Sequence, residues 1–219
     1  MGCARMQQGN APLPAPGQQG ASLIVCLLML LAVAMLGASA AQIAVQEEKA
    51  SRANIDRQLA LQEAEAALRD AEADIGASPR SSLFGIDDAE NFVAGCGRGL
   101  SNPRLGLCQP SAPGAVPAWK LVAAAGAAVP YGHFSGRTGS AAAAARPPAY
   151  LIEWLPQGQR HPQRGQGQAA YAYRVTAIGF GRKETTQVVL QTLVRKQGDR
   201  LKRAGWREVL NWEAMRDED

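Results

Sequence analysis

The chain has 219 residues, a formal charge of +4 and 47% hydrophobic residues, which allows one modest domain beside a membrane segment but not a large core. Its two histidines, His133 and His161, each lack a second set of ligands nearby, which excludes a zinc centre. The whole is only mildly basic, but the charge is unevenly spread. Glu47 to Asp74 holds eight acidic and four basic residues, whereas Asn91 to Lys183 holds ten basic residues and one acid, Glu153. That imbalance admits an anionic partner, nucleic acid included, although nothing in the sequence singles one out; a solvated surface accounts for it equally simply.

Met1 to Gly20 is rich in proline and glycine, carries Arg5 as its only charge and reads as a leader. Ala21 to Ala41 follows with no charge in 21 residues and six leucines. As a helix it would be about 32 Å long, enough to cross a bilayer core. Residues 42–76 predict a continuation of the same helix, rich in Ala, Glu, Gln, Leu and Arg, with no proline between Pro16 and Pro79. Leu61, Ala64, Leu68, Ala71 and Ile75 recur at spacings of three and four and form one apolar stripe for packing on a sheet. Glu63, Asp70 and Glu72 fall off that stripe and, with Glu65, could suggest a carboxylate pair but read as a solvated face. Gly76 and Pro79 supply the stop.

Residues 77–149 read as a loop-rich region. Trp119 to Val129 fits a strand or a short helix equally well. Cys96 and Cys108 are the only cysteine pair outside the leader and the stem. In an oxidising compartment they would close a short loop as a disulfide; in the cytosol they would be two free thiols. Residues 150–219 predict an antiparallel sheet: strands at Tyr150–Leu155, Ala170–Phe180 and Thr185–Val194, a hairpin through Gly179, Gly181 and Arg182, and an edge strand or turn at Trp206–Trp212. The expected fold class is α+β, a long amino-terminal helix packed through its amphipathic half on an antiparallel sheet.

Enzyme-like motifs fail on spacing. Gly95-Cys96-Gly97-Arg98-Gly99 follows no clear strand, and Gly132-His133-Phe134-Ser135-Gly136 has the serine one place late for a nucleophile elbow, with hardly an acid in the region. No cofactor is implied.

Three stretches resemble the PilX family of type IV minor pilins: Gln19-Gly20-Ala21-Ser22-Leu23-Ile24-Val25, the run from Glu47 through Arg57-Gln58-Leu59-Ala60 to Ala64-Glu65-Ala66-Ala67-Leu68-Arg69, and Tyr173-Arg174-Val175-Thr176-Ala177 with Val188–Gln191 and Trp206-Arg207-Glu208. The resemblance implies a pilin fold and a non-enzymatic subunit. It also implies a prepilin peptidase cut between Gly20 and Ala21, with methylation of the new amino terminus. The mature chain would wait in the bacterial inner membrane with its head in the periplasm, then join other minor and major pilins. The fifth residue after the cut is Val25, where major pilins carry glutamate, and this points to a low-copy subunit that primes or caps the fibre. Two rival expectations stand beside it. One is a K-like pseudopilin of a type II secretion system. The other is a soluble periplasmic protein cut before Ala41, since Ala38-Ser39-Ala40 follows the apolar run as a secretory signal would.

Overall fold

A computed structural model describes residues 21–85, 88–139, 142–155 and 171–217. The leader, Gly20 of the expected cut, and His161 lie outside the described residues. The chain divides into two units, Met1–Ala50 and Ser51–Asp219.

One helix, α1 (Ala21–Ala77), runs through both. Its composition favours helix throughout, and it ends where Gly76 and Pro79 interrupt the pattern. There Ser78 Oγ donates to the carbonyl of Asp74 at 2.8 Å and takes up one free carbonyl of the last turn.

The second unit is a seven-stranded sheet, β1 (Leu107–Cys108), β2 (Val129–Pro130), β3 (Ala149–Leu155), β4 (Tyr171–Phe180), β5 (Gln187–Gln197), β6 (Arg200–Arg203) and β7 (Arg207–Glu208), followed by α2 (Trp212–Asp217). The main path is β1-β3-β4-β5-β6, with β2 also on β3 and β7 also on β5. The sheet is antiparallel except at one edge, where β1 runs parallel to β3. The strands expected over residues 150–219 are antiparallel as read from sequence; β1, two residues long, joins them from the disulfide-bounded loop and adds the one parallel pairing.

Side chains alternate across β3–β5, so the sheet has two buried faces. Tyr150, Ile152, Tyr173, Val175, Ala177, Leu190 and Val194 pack against Ala60, Ala64, Ala67, Leu68, Ala71 and Ile75 of α1. Leu151, Ile178, Phe180 and Val189 pack on the far face against Val122, Trp212 and the two linked cysteines. Where α1 crosses the sheet, a Cβ on Gly179 would lie 2.1 Å from the Ala60 carbonyl oxygen and 2.3 Å from the Ala64 nitrogen. Only glycine in the strand and alanine in the helix allow backbones this close.

The region expected to be loop-like contains short 3-10 helices at Ser81–Leu83, Asp88–Asn91 and Ala118–Ala123. The open choice at Trp119–Val129 resolves into the last of these, followed by β2. Trp206–Trp212 contains strand β7 and the first residue of α2.

Candidate functional site

Three features carry the chemistry. The first is the stem. Along α1 from Leu23 to Leu36 every large apolar side chain is exposed, Leu23 at 70% and Leu36 at 72%. The helix from Ser22 to Ala77 has an 18-residue window of mean hydropathy 2.7 and is long and apolar enough to cross a membrane. Ser39 Oγ donates to the Met35 carbonyl at 2.9 Å, so its hydroxyl is satisfied within the helix. The Ala38-Ser39-Ala40 motif lies inside unbroken helix. Val25 is half exposed and uncharged, and Ala21 opens the helix.

The second is the helix–sheet seam. Ala64, Leu68, Ala71 and Ile75 are fully buried, and Leu61 is partly buried against the same cluster. The sequence stripe missed Ala60 and Ala67, and it misjudged the flank beside it. Asp70 and Asp74 are fully buried and Glu63 nearly so, which corrects the solvated face read for Glu63 and Asp70. Loops from the sheet cover that flank and bring donors to it. Asp70 accepts the Gly132 N–H at 2.7 Å and the Ser135 hydroxyl. Asp74 accepts Arg80 Nε at 2.9 Å, a second Arg80 N–H and the Tyr150 hydroxyl at 2.8 Å. Burial, then the negative charges of Asp74 and Asp70, push the Tyr150 phenol well above its ordinary range, so it stays a proton donor.

Arg80 also donates to the carbonyls of Pro103 and Leu105, each at 2.7 Å, and its guanidinium lies 3.6 Å from the centroid of the Phe134 ring. One buried cation therefore ties α1 to the third feature, the loop between Cys96 and Cys108.

Those cysteines are bonded to each other, with Cα atoms 4.1 Å apart. Inside the loop the Gly106 N–H donates to Gly97 O at 3.1 Å, and Asn102 Oδ1 accepts the Arg104 N–H at 2.9 Å. A Cβ on Gly97 would meet the Arg104 carbonyl at 2.0 Å. The tip is open, with Leu100 62% exposed. His133 Nε2 donates to Leu100 O at 2.8 Å, while the Ser135 hydroxyl donates its hydrogen bond directly to Asp70. Asp70 thus meets the serine without an intervening imidazole, and these groups act as loop ties. Among the described residues no three His, Cys, Asp or Glu side chains converge as a metal site.

An uncharged apolar helix whose continuation closes one face of a sheet defines an α+β subunit of the pilin type. Residues 19–69 match the PilX N-terminal family model, and residues 104–196 match that of the type IV pilus assembly protein PilX C-terminal region. The chain belongs to the PilX family of type IV pilus assembly proteins and is a membrane-anchored minor pilin. No curated protein and no solved structure matches it. The family is a structural and assembly family.

Proposed function

We propose that the chain is a low-copy subunit that primes or caps the pilus. It is held as a single pass in the bacterial inner membrane, with residues beyond the stem in the periplasm, after prepilin peptidase cleaves between Gly20 and Ala21. The observation that carries this reading is the exposed stem with Val25 at its fifth position. In a repeating subunit a glutamate there would pair with a neighbour's amino terminus, because an isolated carboxylate in lipid is costly. A stem without one leaves lipid for a helix bundle on packing alone, through small residues such as Ala34, Gly37 and Ala41. A Cβ built on Gly37 would meet nothing within 4 Å among the described residues, which leaves room there for another helix.

In this reading the Cys96–Cys108 loop is the surface offered to partner pilins or to a substratum. Its exposed tip and rigid base, held by the disulfide and Arg80, support that role. The test is the mass of the mature amino-terminal peptide. A peptide that begins with methylated Ala21 is the expected result. One that begins with Ala41 would remove the anchor and leave a soluble periplasmic protein.

A further inference from the structure

The face of the sheet turned away from α1 changes character along the strands. At one end Leu151, Ile178 and Val189 are covered by the second apolar cluster. In the middle Gln191 Nε2 donates to Thr176 Oγ1 at 3.2 Å. At the other end the same alternation places Glu153, Leu155, Ala172, Arg174, Leu193, Arg195, Lys202 and Arg200 on that face, with Arg207 beside Gln191. Leu193, Arg195, Arg200, Lys202 and Arg207 are all exposed.

The pairing there works against the fold. Arg195 sits directly opposite Lys202, and like charges opposite each other across a two-strand ladder repel. Arg174 donates to Glu153 at 3.1 Å and Arg207 to Gln191 Oε1 at 3.1 Å. Arg195, Arg200 and Lys202 carry no ion pair among the described residues, and the one acid in the adjoining turn is Asp199. By contrast Arg203, on the other face of β6, is paired with Glu72 of α1 at 3.0 Å. The chain therefore neutralises the helix-side cation and, with Glu153, the outward Arg174, and leaves Arg195, Arg200 and Lys202 for something outside it.

The layout suits a linear polyanion better than a single ion. Alternate residues of a strand are about 6.7 Å apart and neighbouring strands about 4.8 Å, which gives a flat lattice of cations with no enclosing pocket. A protein partner would need a broad apolar interface core, and a lipid surface would need several exposed apolar side chains to insert; on this half of the face Leu193 is exposed, Leu155 is half-buried and Ala172 is buried. Trp206, 39% exposed on the segment between β6 and β7, supplies a ring on which a base can stack. We infer that this open half-sheet, with Arg174, Arg195, Arg200, Lys202 and Arg207, is a docking surface for the phosphate backbone of a single nucleic-acid strand.

The test uses the full chain in non-ionic detergent and a fluorescent single-stranded oligodeoxynucleotide of about 30 nucleotides, followed by anisotropy across a salt series. The expected result is salt-dependent binding. Replacing Arg195 and Lys202 together by Gln should weaken it by about tenfold and lower the salt slope by about 1.4. Arg182→Gln with Lys183→Gln removes the same charge from the β4–β5 hairpin and should leave binding unchanged. Lys202→Glu places an acid opposite Arg195, so it should weaken binding while holding or raising the melting temperature, which separates lost docking from lost fold. No binding, or equal weakening by the two Gln pairs, would each overturn the assignment.

Discussion

Asp74 and Arg80 are 0% and 4% exposed, so their pairing is made without water to soften its loss. Replacing Asp74 by Ala leaves a guanidinium buried with no counter-charge and takes the acceptor from Tyr150. The expected cost is about 3–5 kcal/mol, a large share of a typical total of about 5–15 kcal/mol. Denaturant unfolding measures it, and adding Arg80→Met to Asp74→Ala should recover part of the loss because the uncompensated charge is then gone. Asp56 acts more gently, at the rim. It accepts the Thr186 hydroxyl at 2.6 Å and the Arg182 N–H, and so docks the β4–β5 hairpin on α1. The Thr186 hydrogen bond chiefly holds its carboxyl below the ordinary value; burial opposes it, and the Arg182 N–H and the charges of Lys183 and Arg182 add to the lowering. A lowered folded pKa means the unfolded chain binds the proton more readily. This contribution is therefore complete above the ordinary aspartate range and is lost as pH falls through the lower folded value. Glu153 runs the other way. Burial raises its pKa despite Arg174, so its unfavourable contribution eases as pH falls into its raised range. Melting temperatures taken from about pH 7 down to pH 3 should fall less steeply in Asp56→Asn than in the parent chain.

At the scale of elements, Cys96–Cys108 closes a short loop that donates β1 to the sheet and contributes to the far-face core. Cys96→Ser should lower stability by roughly 2–3 kcal/mol, seen as a melting temperature reduced by several degrees, while membrane insertion stays intact. An unchanged melting temperature would mean that the bond does not constrain the chain. The elements that periodicity reveals were legible before folding: the stripe Leu61–Ile75, the alternation of β4 and the β-branched run of β5. The burial of Asp70 and Asp74 was not. A helical wheel assigns a carboxylate to water unless its donors are known, and here the donors, Gly132, Ser135, Arg80 and Tyr150, come from distant parts of the chain. The parallel edge strand was hidden because two residues carry no period. The cover of the far face was hidden because Ala118–Ala123 sits in an Ala, Gly and Pro background with little contrast. Gly179 read as a turn residue, yet its use is to let Ala60 and Ala64 approach, a demand that only the packed helix creates.

At the scale of the whole molecule, the proposed function gives the stem Ala21–Ala41 to lipid, and among the described residues its apolar side chains pack on nothing in the sheet unit. Leu27, Leu28 and Leu31 are each about half exposed or more, and none contributes to either apolar cluster. Water would penalise that surface, whereas a bilayer or the core of a fibre accepts it. Leu28→Arg tests the assignment without touching the sheet. Near the centre of a span, arginine costs about 2.5–3.5 kcal/mol where leucine contributes a few tenths favourably, so insertion should shift by roughly 3–4 kcal/mol. The expected phenotype is loss of the chain from the membrane fraction and loss of piliation in a strain that relies on this copy. The unfolding midpoint of residues beyond Ser51 should stay unchanged, since Leu28 belongs to the other unit. Normal membrane retention and normal piliation would show that the stem does not act in lipid, and the assembly role built on it would fall with that result.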